Sequence, residues 1–600
     1  MALTTGGKTL FGLAIFAGVF GGLVVAKNKG YFGEKVGESA IPMGANLPGM
    51  IDQKVVGQAS LSIPTAKPAA IGGPCINRDI WEWNAQMGEI YAVGGKVTHE
   101  GSLMAKKGLC VHLNHQDDTG KNQQNLIKFA TDLASGNPQP DDGATFVGIM
   151  GDGAGQFLAA VQPQLLKLGP EYQAKIVASF GFSRGEDKFM APPACANAQS
   201  KEDRQAACKG LLIAGVLKDG DWNIAMKFAH DNDIPNNPDP TTYDPEALNW
   251  VNPSDYIDAG NKYIADYCES RDKVLRGHKT GEKTRVCVNG VVTWTPGDVN
   301  VAEKRGGLQT VVSTKEYNMQ MPHVLIGIDK WMQDNRKLVD AYIDAALEGG
   351  RQVQVSDAAL DAAAFASADA YGDQDASYWK TYYRGIAKSD AKGLTVSLGG
   401  SKVNNLPENK RLFGLDHAYA NALAATYTTF GAIVMQQYPK DVASIPPIDS
   451  VLDTSYLQDV LKTSTTTAQA ERPVYTPPTS ITKEISSQSW HINFKSGKAD
   501  FGKDADPQLN ELMNGLVIAG NTVVKIEGYT DNTGSAVINK ALSEARAEAV
   551  KKYLQANAPG NFPDNRLTVD GFGSDKPVAL NTTTDGRAKN RRVEVRVMHN

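Results

Sequence analysis

Six hundred residues, 42% of them hydrophobic, exceed one ordinary domain and suffice for real cores. A formal net charge of -5 leaves no basic excess to suggest nucleic acid, and there is no long acidic run. The six cysteines, Cys75, Cys110, Cys195, Cys208, Cys268 and Cys287, all lie in the middle of the chain, and none has metal-ligand spacing, so no metal or cofactor is expected. Cys195 with Cys208, and Cys268 with Cys287, are spaced to close short loops in an oxidising compartment.

Residues 9–26 (TLFGLAIFAGVFGGLVVA) form an apolar run just long enough to span a bilayer as a helix. Lys8 precedes it, Lys27 and Lys29 follow, and no cysteine invites lipid attachment. The expectation is an uncleaved single-pass anchor with the bulk outside the inner membrane; the alternative is a cleaved signal and a periplasmic protein. Residues 27–74 are rich in Gly and Pro and read as a spacer.

Residues 75–455 alternate short apolar runs with helical patterns, which predicts α/β layers with parallel strands. Strands are expected at 108–113, 145–150, 175–180, 210–217, 291–294 and 310–313. Helices are expected at 122–133, 332–349 and 357–371. Two strands run into glycine-rich turns, Gly151-Asp152-Gly153-Ala154-Gly155 and Lys218-Asp219-Gly220, where a ligand would meet backbone N–H groups and helix N-termini. Gly181-Phe182-Ser183-Arg184-Gly185 fits G-x-S-x-G, so a serine hydrolase at Ser183 is an alternative. That elbow needs a helix directly after the serine, and Pro192-Pro193 opens one poorly. Ser183 and Arg184 read better as a hinge or ligand-contacting turn, with Arg184 able to fork onto an anion.

Trp83-Asn84-Ala85-Gln86-Met87-Gly88, Leu217-Lys218-Asp219-Gly220-Asp221-Trp222-Asn223 and Val292-Thr293-Trp294-Thr295-Pro296-Gly297-Asp298 make this region resemble the type II periplasmic solute-binding proteins of ABC transporters. The likeness is to the phosphate-like or nitrate/taurine-like branch found fused to an OmpA domain. It implies two lobes closing over a small, anionic solute, with Trp83, Asn84, Gln86, Asp152, Ser183, Arg184, Asp219 and Trp294 as candidate contacts. A scaffold or protein-interaction module on the same fold is the alternative.

Residues 456–485 are Thr/Pro-rich and read as a linker. Beyond it, 490–494, 522–528, 566–570 and 592–597 are predicted strands, and 507–519 and 535–556 are predicted helices. Thr530-Asp531-Asn532-Thr533-Gly534, then Asn539, Leu542-Ser543, Arg546-Ala547 and Asn590-Arg591-Arg592 make residues 486–600 resemble the OmpA-like peptidoglycan-binding domain. The resemblance implies an α/β sandwich that holds a diaminopimelate stem peptide. Asp531 would take the ammonium and Arg546 the carboxylate, with Asn539 and Leu542 lining the site and Thr530 completing it. Arg592 and Arg591 would brace the sheet or the rim. Tyr529 stands where His is common in that family.

The chain is therefore expected to be a non-catalytic envelope protein with three partners: the membrane through one helix, peptidoglycan, and a small solute.

Overall fold

The computed structural model describes residues 61–464 and 483–599. The apolar run at 9–26 and most of the Thr/Pro stretch lie outside them. Among the described residues, no helix is long and apolar enough to cross a membrane.

The chain first builds β1 (Cys75–Ile80), β2 (Cys110–His115), β3 (Phe146–Met150) and β4 (Ala174–Ser183). It crosses through residues 184–187 into β5 (Lys188–Ala191), β6 (Leu212–Ala214), β7 (Thr242–Tyr243) and β8 (Asn249–Val251). The hairpin β9 (Cys268–Leu275) and β10 (His278–Cys287) follows, then β11 (Gly290–Thr293) and β12 (Gln309–Ser313). It returns through residues 314–321 into β13 (Pro322–Ile328) and adds the hairpin β14 (Ile386–Ser389) and β15 (Thr395–Leu398), and then β16 (Ser401–Val403).

The two largest sheets run in the orders β16-β4-β13-β3-β1-β2 and β12-β5-β11-β6-β8, beside the smaller β10-β9-β7 and β14-β15. The two largest are the cores of two lobes. The expected parallel layers are in fact mixed. β1 runs parallel to β2 and β3, and β6 parallel to β8 and β11, but β13 and β5 run antiparallel to their neighbours. The cause is the crossovers: each enters the other lobe directly, without the helical connection that a parallel return requires. β13 was not foreseen. All seven of its residues are buried, and its central position between β3 and β4 calls for a continuous apolar run instead of alternation.

The helix Asp357–Tyr371 forms as its sequence predicts. Ser356 accepts a hydrogen bond from the Ala359 N–H at its start, and Gly372 closes it at φ 82°. In the first lobe's core the Arg78–Glu89 ion pair (3.0 Å) has no solvent exposure. Arg78 also meets His323 Nε2 at 2.7 Å, and the Tyr342 hydroxyl donates to Glu89. These partners are what let two buried charges persist.

Three boundaries shift from expectation. The last part of the expected spacer lies against the first lobe: Ser62 N–H donates to Gln352 (2.8 Å) and Ala69 N–H to the Thr98 carbonyl (2.8 Å). At the other end the helix Ser455–Thr463 buries Tyr456, Leu457 and Val460, so the domain runs through it and into the expected linker. The C-terminal sheet opens with β17 (Lys483–Trp490) and not at 490–494. Its sequence, KEISSQSW, is too polar to signal a strand. It is held by pairing with the last strand and by contact with the second lobe.

The C-terminal domain continues with β18 (Val523–Gly528), β19 (Leu567–Gly571) and β20 (Val593–His599), in the order β17-β20-β18-β19. The helices Asp506–Ile518 and Ala536–Asn557 complete an α/β sandwich. This domain is docked on the lobes. Met319 N–H donates to the Ile518 carbonyl (3.0 Å), and Gly560 N–H to the Ala418 carbonyl (2.7 Å). Arg204, buried in the second lobe, binds Glu484 Oε1 at 2.7 Å and the Glu484 carbonyl at 2.9 Å.

The cysteines pair as Cys75–Cys110, Cys195–Cys208 and Cys268–Cys287. The first joins β1 to β2 and the last joins β9 to β10, at directly opposed positions. Cys195–Cys208 closes a loop of 13 residues. Replacing both by serine is expected to lower stability by about 3 kcal/mol, read from the denaturation midpoint of the full chain.

Candidate functional site

Two places gather polar side chains. The first is in the C-terminal domain. β18 delivers Tyr529, Thr530 and Asp531 to a loop, and Ser535, accepting from the Ile538 N–H, starts the helix that carries Asn539, Leu542 and Arg546. Arg546 lines a cavity of about 230 Å³ together with His491, Phe494, Tyr529, Arg591 and Arg592. Its guanidinium stands 5.0 Å from the Phe494 ring and donates from Nε to the Lys498 carbonyl (3.1 Å). Burial pulls its pKa down, and neighbouring Arg591 adds to that fall.

Asp531 is paired with Arg591, at 2.6 Å, and not with Arg546. It also accepts from the Thr533 N–H at 2.9 Å. Burial pushes its carboxyl up, but the Arg591 and Thr533 bonds outweigh burial and hold it below the usual carboxylate range. Arg546, Arg591 and Arg592 thus line one cavity, and Asp531 meets it through its pair with Arg591.

Of the other expected residues, Arg592 lines the cavity, whereas Asn539, Leu542 and Thr530 do not. Asn539 donates to the Asp531 carbonyl (3.2 Å), so it shapes the turn. Leu542 is half-buried and is not part of the cavity wall. Thr530 is buried, with its N–H on the Gly573 carbonyl (2.8 Å). Arg592 lies over Tyr529 at 3.8 Å and binds Glu594 at 2.8 Å. Tyr529 stacks on Phe572 and donates to Glu527 at 2.6 Å, the packing role expected of an aromatic there. Asn590 braces the chain by accepting from Val578 and Ala579 N–H.

The second place is the junction of the lobes. Asp152 comes from the turn after β3, Asp187 from the first crossover, Asp219 and Asp221 from the start of the helix Gly220–Asp231, and Gln320 from the second crossover. Gln320 Nε2 donates to Asp152 Oδ2 (2.8 Å), and Asn223 Nδ2 to the Asp152 carbonyl (3.2 Å). Gly220 permits this approach: a Cβ there would sit 2.4 Å from Met150 Sδ and 3.3 Å from Asp152 Oδ1. Burial raises the Asp187 carboxyl to about 6 and, with Asp187 close by, puts Asp221 well above the usual range.

Trp83, Asp152 and Asp219 are gathered here as the sequence suggested, whereas the others divide. Asn84 donates to Glu186 at 3.4 Å, and Gln86 to the Tyr371 hydroxyl at 3.0 Å. Trp294 stacks on Tyr256 at 3.6 Å and donates to the Glu82 carbonyl (3.2 Å), holding the second lobe against the first. Arg184 is not in the cluster. It donates to the carbonyls of Ser183 and Asn318 and lines a separate cavity with Lys402 and Glu408, and burial draws it down to about 9. One nitrogen of the expected anion-binding fork, Nη1, is thus given to backbone carbonyls, and the junction itself carries carboxylates where an anion would need cations.

Ser183 closes the hydrolase alternative. Its hydroxyl shares a hydrogen bond with Thr314 (2.6 Å) and accepts from Asp187 N–H (3.0 Å). It ends β4, which continues into β5 and not into a helix, so there is no strand-to-helix elbow.

Reading from sequence missed Asp187, Asp221, Gln320 and Glu82, and gave Arg591 only a bracing role. Asp221 was within reach, because Lys218-Asp219-Gly220-Asp221-Trp222 was already singled out. Asp187 and Gln320 lie in the crossovers, where no periodicity marks them.

Fold and sites define a two-lobed α/β domain that carries, firmly docked, an α/β sandwich with a charged loop-and-helix pocket. Residues 493–591 match the OmpA family. The chain is 34% identical over 119 residues to the outer-membrane lipoprotein YfiB of Pseudomonas aeruginosa, covering 19% of this chain and 68% of that one. It belongs to the OmpA family through this domain. It is 36% identical over 121 residues to the outer membrane protein Omp38 of Acinetobacter baumannii (20% and 33% covered). It is 49% identical over 87 residues to the peptidoglycan-binding protein ArfA of Mycobacterium tuberculosis (14% and 26% covered). The match thus spans 33% of Omp38 and 26% of ArfA. The structure is also similar to the periplasmic nitrate-binding protein NrtA from Synechocystis PCC 6803, with a TM-score of 0.43 and 11% identity over 69% of this chain and 94% of that one.

Glu82 yields a pH prediction. Burial, followed by the neighbouring Asp373, raises its carboxyl to about 9, against the opposing Tyr256 bond. The folded state then keeps a proton that the unfolded chain releases near its ordinary 4.5. Glu82's contribution to stability should fall as pH rises from there towards 9. Glu82→Gln is expected to flatten this part of the curve of melting temperature against pH.

Proposed function

We propose that this is an envelope protein that binds peptidoglycan non-covalently through its C-terminal domain. The observation that carries this is the Asp531–Arg591 pair (2.6 Å) standing at a cavity of about 230 Å³ that Arg546 and Arg591 line, an anion beside cations as a zwitterion requires. Membership in the OmpA family, and the likeness to the peptidoglycan-binding protein ArfA, support it. Asp531 takes the ammonium of a diaminopimelate stem peptide, displacing Arg591. Arg546 forks onto the carboxylate, for which a planar guanidinium is suited. Arg591, half-exposed, swings to the rim.

Asp531→Ala and Arg546→Ala are each expected to cut pull-down on purified sacculi more than tenfold, with the melting temperature nearly unchanged. Undiminished pull-down by both variants overturns the assignment. Because the folded-state pKa of Asp531 is depressed, its pairing is present above the ordinary carboxylate pKa and is lost only as pH falls below about 4. Pull-down should follow that limit.

The two-lobed domain is read as a receptor for a small solute that closes at the junction of the lobes. Its support is the set of buried, unpaired polar atoms contributed from both lobes and both crossovers. The phosphate-like assignment gains nothing from that junction, because its buried charges are negative. Residues 9–26 are read as a single-pass anchor, placing both domains in the periplasm.

A further inference from the structure

The junction of the lobes is short of donors. Six acceptor oxygens with no hydrogen-bond partner are buried there: Asp152 Oδ1, both oxygens of Asp187, Asp221 Oδ1, Asn223 Oδ1 and Gln320 Oε1. The Gln320 and Asn223 amides are aimed into the cluster, since each gives its nitrogen to Asp152 and leaves its oxygen bare. The Trp83 indole N–H, also buried, is directed at Asp187 without completing a hydrogen bond. The nearby lysine, Lys188, is already held by Asp298 and the Ser397 carbonyl.

Without counter-charge, buried carboxyls such as Asp221 hold their protons, and the orphaned acceptors carry the cost of lost hydration. Both deficits are cancelled by one occupant that brings positive charge and several N–H donors. A bare metal ion fits less well. Among the described residues, the side-chain groups close enough to share one ion are Cys75/Cys110/His112 and Glu82/His115/Asp117; the three aspartates form no such group. Their wider spacing suits an ammonium or guanidinium whose separate N–H bonds point in different directions.

We propose that the solute bound between the lobes is a small organic cation carrying N–H donors, held by Asp152, Asp187 and Asp221 with Gln320 and Asn223. The class follows from the chemistry of the lining: acceptors from the first lobe (Asp152), the second lobe (Asp221, Asn223) and both crossovers (Asp187, Gln320) converge, so one cation draws the lobes together. Trp83 closes one side with its N–H edge turned to Asp187. This inference rests on the reading of the two-lobed domain as a solute receptor.

The test uses the purified full chain in a thermal-shift and calorimetric panel. The amine arm holds putrescine, spermidine, agmatine, lysine and arginine. The second arm holds nitrate, phosphate, sulfate and taurine, and the third Ca²⁺ and Mn²⁺. A shift with at least one amine is expected, with affinity falling about ten- to a hundredfold in Asp187→Asn and further in Asp187→Asn/Asp221→Asn. These isosteric changes remove like-charge repulsion, so the melting temperature without ligand should hold or rise. A shift by anions alone overturns the cationic class and leaves the receptor reading standing. A shift by divalent ions alone overturns the organic ligand. No shift in any arm overturns both readings. Amine binding undiminished in the double variant overturns the assigned residues.

Discussion

The contact that most of this structure leans on is between Arg204 and Glu484. Arg204 is buried, bonded to Asn232 within its own lobe and to both the side chain and the carbonyl of Glu484. Glu484 turns its other oxygen to Arg596 (2.9 Å), Arg596 reaches Glu527 (3.1 Å), and Glu527 receives the Tyr529 hydroxyl. A line of charge-assisted bonds therefore runs from the second lobe across the C-terminal sheet to the residue beside Thr530 and Asp531. Such bonds are the stronger kind, and in a buried setting losing one partner strands the next. Position and orientation of the Thr530–Asp531 loop are inherited from the lobe.

Much of the fold could be read from the chain, and the parts that could not share a cause. Asp357–Tyr371 was legible because cap, periodicity and terminal glycine agree. Cys195 with Cys208 and Cys268 with Cys287 were legible from spacing alone. β13 was missed because a strand buried on both faces has no alternation to read. β17 was missed because its neighbours, and not its own apolar content, make it a strand. The expected linker hid a docked domain because composition reports on solvation and says nothing of tertiary contacts.

The sites follow the same rule. Asp531 and Arg546 stood in a local motif, but their geometry did not: the partner of Asp531 proved to be Arg591, sixty residues on, and only folding brings it there. In the lobes, Asp152 and Asp219, proposed from glycine turns, lie at the junction. Arg184, from which an anion-binding fork was expected, stands apart from them and gives Nη1 to the carbonyls of Ser183 and Asn318. An arginine in a sequence advertises a capacity, and burial decides whether it remains available.

Three consecutive residues of the second crossover have separate attachments. Gln320 holds Asp152 in the cleft, Met319 is bonded to Ile518 of the C-terminal domain, and the Asn318 carbonyl is taken by Arg184. Adjacent Cα atoms lie only about 3.8 Å apart, so these attachments cannot move independently. Any rearrangement of the lobes that shifts Gln320 is transmitted within a single peptide unit to the seat of the OmpA domain. Mechanical load on the anchored domain would travel the same route in reverse, because coupling between two equilibria is reciprocal. A shift at the junction of the lobes and a shift in the seat of the C-terminal domain are thereby made quantities of one equation.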